Sequence, residues 1–281
     1  MRRIKSLVLN NLLVIKAVFM REILYWVRYP LWFLTLISFP YLISGLFYSI
    51  GYALSGENAI KYFNQRAGTP NVFLYQLIGS AIFMISILII EDVGQSIRAE
   101  QFRGTLEYNY LTAANKIVLW GSVVIPHGLI SLTTLAGSII PMLFMEIKPV
   151  DPLDLVLGVL VLFIGLMPLF GIGFVVAALT MRFKEPWAVT NIIKAFISAF
   201  SGFNYPITIL PLWLQYVSNA LPTTVVTDII REALLFNKRL YTMSYQIELL
   251  ALMGLVYFAV AITVYKRWEE EARRRGELSK Y

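Results

Sequence analysis

His127 is the single histidine among 281 residues, and it follows Pro126 inside an uninterrupted apolar run. A hydrolytic metal centre needs further ligands at helical spacing, as in HExxH, and the chain has neither that motif nor a cysteine. The missing cysteines also exclude disulfides, thiol catalysis and thiolate metal sites. No GxxxxGK[ST] phosphate loop occurs, so this chain does not bind ATP by that route and any ATP-driven work must draw energy from a partner. His127 is therefore expected to be hydrogen-bonded to a neighbouring helix rather than to hold a metal. Lys194, also in apolar surroundings, is expected to snorkel inward. Glu91 and Asp92 are expected either to pair with basic groups such as Arg21 or Arg98 or to be solvated.

The elements that carry these residues follow from composition. The chain is 58% hydrophobic and 15% charged, with a mean hydropathy of +0.68. That is more apolar surface than a water-soluble domain can cover, so the chain is expected to be an all-α polytopic membrane protein. A spanning helix needs about 20 apolar residues. Uncharged runs of that order lie at Leu31 to Leu54, Val72 to Ile90, Ile117 to Met145 and Leu155 to Met181, with a shorter one at Leu249 to Tyr265.

Lys and Arg collect on the cytoplasmic side of short loops. Each end of the chain carries six of them, so both termini are placed inside and the number of crossings must be even. The stretch from Trp187 to about Leu214 then supplies a sixth span. This arrangement puts seventeen basic residues inside against six outside, and accounts for the +7 net charge as orientation and attraction to anionic lipid.

Residues 3–28 have the pattern of a helix lying in the membrane interface, with Val8, Leu12, Ile15, Phe19, Ile23 and Trp26 on one face and Arg3, Asn10, Arg21 and Arg28 on the other. Between the fifth and sixth spans, residues 201–239 contain Val225, Val226, Ile229, Ile230, Ala233 and Leu234 on one helical face and Thr227, Asp228, Arg231 and Glu232 on the other. This is expected to be a re-entrant helical hairpin dipping back from outside. The plainer alternative is an amphipathic helix resting on the outer leaflet.

The inner segment RAEQFRGTLEYNYLTAANK, residues 98–116, is charged and tyrosine-bearing between two hydrocarbon runs. Gly104 is expected to end one helix and Thr105 to cap the next, with Leu106, Tyr110 and Ala113 recurring along one face. A short amphipathic helix outside the membrane is the result.

Two segments carry a family resemblance. Arg103-Gly104-Thr105-Leu106-Glu107 resembles the signature of the type-2 ABC exporter permeases, which include antibiotic-efflux and polysaccharide-export subunits. Ser201-Gly202, Pro206, Leu210-Pro211, Trp213-Leu214, Pro222 and Arg231 resemble that family's segment between its fifth and sixth spans. Two positions depart from the pattern. Thr112 to Lys116 stands where a proline turn is common, and Thr223 and Thr224 stand where an aromatic usually follows the proline.

The resemblance implies a single transmembrane domain of six helices whose inner loop bears a coupling helix. That helix would dock on a separate cytoplasmic ATPase, with ATP and Mg on the partner and no cofactor on this chain. Arg103, Gly104, Thr105, Leu106, Glu107, Tyr108 and Tyr110 would form the coupling element, with Leu106, Tyr108 and Tyr110 as interface anchors. Pro206, Pro211, Trp213, Pro222 and Arg231 would form the outer gate. Two permease copies, identical or sibling, would meet two ATPase subunits in the cell membrane. An amphipathic, lipid-like or glycan cargo would pass between the copies, past Phe33, Phe39, Phe47, Phe83, Phe196 and Phe200, unless those aromatics only face lipid or pack. The rival class is a membrane-embedded enzyme or assembly factor without a motor, which would need polar residues converging within the spans.

Overall fold

The computed structural model describes residues 2–69, 71–112, 114–144, 152–182, 186–236 and 238–275. Among these the regular elements are helical. Helix α1 (Arg2–Arg28) is followed by α2 (Leu31–Ser55), α3 (Glu57–Ala67) and α4 (Val72–Phe102). Two short helices, α5 (Leu106–Leu111) and α6 (Lys116–Gly121), lead into α7 (Val124–Ile139). Then come α8 (Pro152–Arg182), α9 (Pro186–Phe200), α10 (Leu212–Asn219), α11 (Pro222–Leu235) and α12 (Ser244–Arg275).

Among the described residues, five segments are long and apolar enough to cross a membrane: α2, α4, α6 with α7, α8, and the segment containing α12. α4 is the central post, with 78% of its apolar window buried, whereas the windows of α2 and α12 are only 17% buried. Ile82, Ile85 and Ser86 of α4, Leu162, Leu166 and Leu169 of α8, and Thr223 and Val226 of α11 meet around one small apolar cavity. α8 also packs closely along α12.

Several boundaries differ from the hydropathy pattern, each for a local reason. α4 runs on past Ile90 to Phe102, because nothing between Glu91 and Gln101 breaks a helix and its stop is the glycine at 104. The third span is split at Ser122–Val123. Pro126 has no N–H and its ring opposes the carbonyl four residues earlier, that of Ser122, so the helix restarts there. The expected end of this span at Met145 lies outside the described residues, as does Ala113.

The apolar stretch at Trp187 is shorter than expected. α9 stops at Phe200 instead of continuing to Leu214, about 22 Å of helix at 1.5 Å per residue. Gly202 at φ +65° and the prolines at 206 and 211 prevent its continuation. α3 was not anticipated. It is held on α4 by an edge-to-face contact of Phe63 with Tyr75, ring centroids 5.2 Å apart.

α1 follows its predicted extent but is more than a surface helix. Val18 and Trp26 enter the core, and Trp26 stands edge-on to Phe33 at 6.1 Å and to His127 at 6.3 Å. Leu12, Leu13, Leu24 and Val27 remain exposed. Trp26→Ala should therefore lower the stability of the detergent-solubilised chain by about 3 kcal/mol. Leu24→Ala should change it by less than about 0.5 kcal/mol. Denaturant unfolding of the two variants side by side measures the contrast.

Candidate functional site

The loop between α4 and α6 is built from the end of α4. Gly104 takes φ +67°, a conformation open to glycine at little cost. Its N–H reaches the Gln101 carbonyl at 2.9 Å and the Thr105 N–H reaches the Glu100 carbonyl at 3.0 Å. This is a Schellman terminus, which satisfies two carbonyls that the helix end would leave free.

Sequence reasoning missed the residue that holds this turn. The Glu100 carboxylate is buried. It accepts from the Thr105 hydroxyl at 2.5 Å, Asn109 Nδ2 at 3.0 Å, Arg103 Nη1 at 3.2 Å and Arg21 Nη1 of α1 at 3.5 Å. Thr105, expected to cap α5, makes no side-chain cap and gives its hydroxyl to Glu100 instead. The residues that needed noticing were the donors flanking Gly104, since a lone acid at a helix end gives no signal of its own.

The orientation of α5 also differs from the expectation. Leu106 is 2% exposed and belongs to the main core. Tyr110 packs inward too, its hydroxyl 3.2 Å from that of Tyr265 on α12, which also accepts from Trp120 Nε1 at 3.1 Å. Burial pushes the Tyr110 phenol above its ordinary range, with the Tyr265 hydrogen bond acting in the opposite sense. Arg273 of α12 lies over the Tyr110 ring at 5.2 Å. Lys116 Nζ closes the far end of α5, reaching the Asn109 and Thr112 carbonyls at 2.5 and 2.9 Å. Leu106 and Tyr110 are thus inward tethers, and the outward face consists of Tyr108 at 71% and Leu111 at 83% exposure, flanked by Phe102, Arg103 and Glu107.

On the opposite side of the bundle, the break after α9 is held by one cation. Arg231 of α11 is 2% exposed. Its Nε donates to the Tyr75 carbonyl at 3.2 Å, Nη1 to the Gly202 carbonyl at 2.9 Å and Nη2 to the Phe203 carbonyl. The guanidinium also stacks 3.6 Å over the Tyr75 ring. Gly79 makes room, since a Cβ there would collide with the Phe203 carbonyl and the guanidinium. Of the expected polar face of α11, Thr227 and Arg231 are therefore buried and Asp228 and Glu232 half-buried, and α11 lies among α4, α8 and α12. Pro206 and Pro222 are buried, whereas Pro211 and Trp213 are exposed.

The aromatics do not form one cluster. Phe83 packs on Phe203 at 5.1 Å, Phe196 on Phe200 at 4.8 Å and Phe33 on Trp26. Phe47 and Phe196 are exposed, and Phe39 is half-buried.

His127 and Lys194 are both paired. His127 Nε2 lies 2.6 Å from Asp92 Oδ2 and Nδ1 lies 2.9 Å from the Val123 carbonyl, so the ring bonds across to α4 as expected. A carbonyl only accepts, so Nδ1 donates to Val123 and Nε2 faces the Asp92 carboxylate. Lys194 does not snorkel free. Its Nζ meets Glu91 Oε2 at 3.0 Å. Arg21, expected as a partner for Glu91 or Asp92, is taken by Glu22 and Glu100.

A family model described as ABC-2 type transporter matches residues 14–235, most of the chain, with Glu100 and Arg231 both inside the match. The chain belongs to the ABC-2 type transporter family. No curated protein matches it closely enough to count as a relative. Family membership makes it a membrane permease of an ABC transporter, working with an ABC ATPase. The match begins within α1 and closes at the end of α11.

Two outcomes test the Glu100 and Arg231 contacts. Glu100→Ala should cost the inner loop about 2 kcal/mol of local stability. That corresponds to roughly thirtyfold faster trypsin cleavage after Arg103, read by fragment mass under native conditions. Arg231→Met leaves the Gly202 and Phe203 carbonyls without their donor and should lower global stability by roughly 3 kcal/mol, measured by denaturant unfolding.

Proposed function

We propose that this permease exports an amphipathic, lipid-like or glycan molecule from the cytoplasm, and that α5 is the coupling helix through which the ATPase drives it. The observation that carries this is the division of α5 into two faces. Leu106 and Tyr110 tie it to the bundle, and Tyr108 and Leu111 stand unpartnered outward. Aromatic and aliphatic anchors in the middle of a charged rim are the composition of a protein docking surface.

In this reading α9 is the sixth crossing, short because the broken chain after Phe200 continues within the bundle. α10 and α11 then dip back from outside, as an outer gate stabilised by Arg231. The inside-positive distribution supports cytoplasmic termini in the cell membrane. Two copies of the chain, or this chain with a sibling, present two coupling helices to two ATPase subunits. ATP and Mg belong to those subunits. Cargo passes between the copies, where the exposed apolar faces of α2 and α9, with Phe47 and Phe196, suit a hydrocarbon tail.

Tyr108→Asp with Leu111→Asp should abolish ATPase association and transport in reconstituted vesicles, while the chain stays inserted and folded. Leu106→Asp should instead destabilise the chain itself, because it buries an unpaired charge. Normal transport by the Tyr108 and Leu111 double variant would remove α5 from the coupling role.

A further inference from the structure

α12 is longer than a membrane crossing needs. It has 32 residues, about 48 Å of helix against about 30 Å of hydrocarbon, and its apolar run ends at Tyr265. The ten residues beyond Tyr265 stay helical and have two faces. Tyr265 and Ala272 are buried and Trp268 packs against the core, whereas Lys266, Arg267, Glu270, Arg273 and Arg274 are exposed. At about 100° per residue those five share one side of the helix, four cations around one carboxylate.

This side adjoins α5. Arg273 is paired with Glu269 at 2.7 Å and lies over the Tyr110 ring at 5.2 Å, yet its side chain is still 54% exposed. Tyr108 and Leu111, on either side of Tyr110 in the same short helix, face outward. The basic side of α12 and the aromatic side of α5 therefore lie next to one another at the same end of the bundle.

Exposed cations beside a membrane suit either anionic lipid heads or an acidic protein surface. Distance decides between the two. Lys266 and Arg267 follow directly on the apolar run, at the level of lipid heads. Arg273 and Arg274 stand about 12 Å or more beyond Tyr265 along the helix axis. That exceeds the Debye length of about 8 Å over which lipid charge is felt at physiological salt. Glu270, on the same side, is repelled by an anionic membrane but can be paired in a protein interface. Family membership already supplies a protein partner, the ABC ATPase.

We propose that Arg273 and Arg274 are a second contact for the ABC ATPase, meeting an acidic surface beside the groove that takes Tyr108 and Leu111. This rests on the reading of α5 as the coupling helix and adds the last span to it. Tyr265 joins α12 to α5 through Tyr110 and to α6 through Trp120. An ATPase that holds both faces moves α12 together with α5.

The test uses the full chain in nanodiscs of phosphatidylcholine, which has no net charge, with the ABC ATPase subunit in solution. Stopped-flow fluorescence follows association across a salt series. Arg273→Glu with Arg274→Glu should slow association about tenfold at low salt and flatten its salt dependence. Arg273→Lys with Arg274→Lys keeps the charge and should keep the rate. Lys266→Glu with Arg267→Glu should leave the rate unchanged. If the reversed pair fails to fold, Arg273→Gln with Arg274→Gln serves, with a slowing of about threefold expected. Tyr108→Asp with Leu111→Asp, run in parallel, reads the coupling helix by itself, so failure of that reading and failure of this contact are separate results. An association rate unmoved by reversing Arg273 and Arg274 overturns the contact, as does a lysine pair as slow as the glutamate pair. A loss seen only in nanodiscs that contain phosphatidylglycerol also overturns it, since the cations would then serve lipid.

Discussion

In hydrocarbon a backbone polar group cannot be left to water, so every interruption of a helix must be repaired by something within the protein. This chain interrupts its helices at two functionally suggestive places: at one a charged side chain takes up the freed carbonyls, and at the other, where backbone N–H groups close the helix end, a charged side chain ties the flanking side chains together. Where α9 ends, the Arg231 guanidinium collects the carbonyls of Gly202 and Phe203 together with that of Tyr75. Where α4 ends, the Glu100 carboxylate collects donors from Arg21, Arg103, Thr105 and Asn109. A cation serves a loop of exposed carbonyls and an anion serves a turn surrounded by donors.

α4 connects the two repairs. Tyr75 and Gly79 near its start receive the break after α9, and Glu100 near its end anchors the loop that carries α5. Its middle is apolar and largely buried. The inner loop also reaches outward to both chain ends, to α1 through Arg21 and to α12 through Tyr110 and Tyr265. α5 is therefore held from three directions while its Tyr108 and Leu111 face stays uncommitted.

Much of this was legible from the sequence, and what was not has a common cause. Hydropathy alone located α2, α8 and the start of α4, because lipid-length apolar runs need no tertiary information. Gly104 was readable as a helix end, and the segment around Arg231 was readable as too polar to cross and too apolar to float free. The partner of Lys194 lies 103 positions away and that of His127 lies 35 positions away, so neither pairing has a local signature. The inward turn of Leu106 failed for a related reason. Helical spacing says that Leu106 and Tyr110 share a face, but which face meets the bundle depends on α12, the far end of the chain. α9 was overextended because hydropathy counts the residues around Gly202 as apolar and does not see that its backbone leaves the helix.

The claim on which the account turns is that α5 shows its Tyr108 and Leu111 side to the ATPase and its Leu106 and Tyr110 side to the bundle. Site-specific photocrosslinking in intact membranes measures it directly, with a benzophenone amino acid placed at each of the four positions in turn. The account predicts adducts with the ATPase subunit from positions 108 and 111, and only intramolecular products from 106 and 110. ATPase adducts from 106 or 110, with none from 108 or 111, would contradict it.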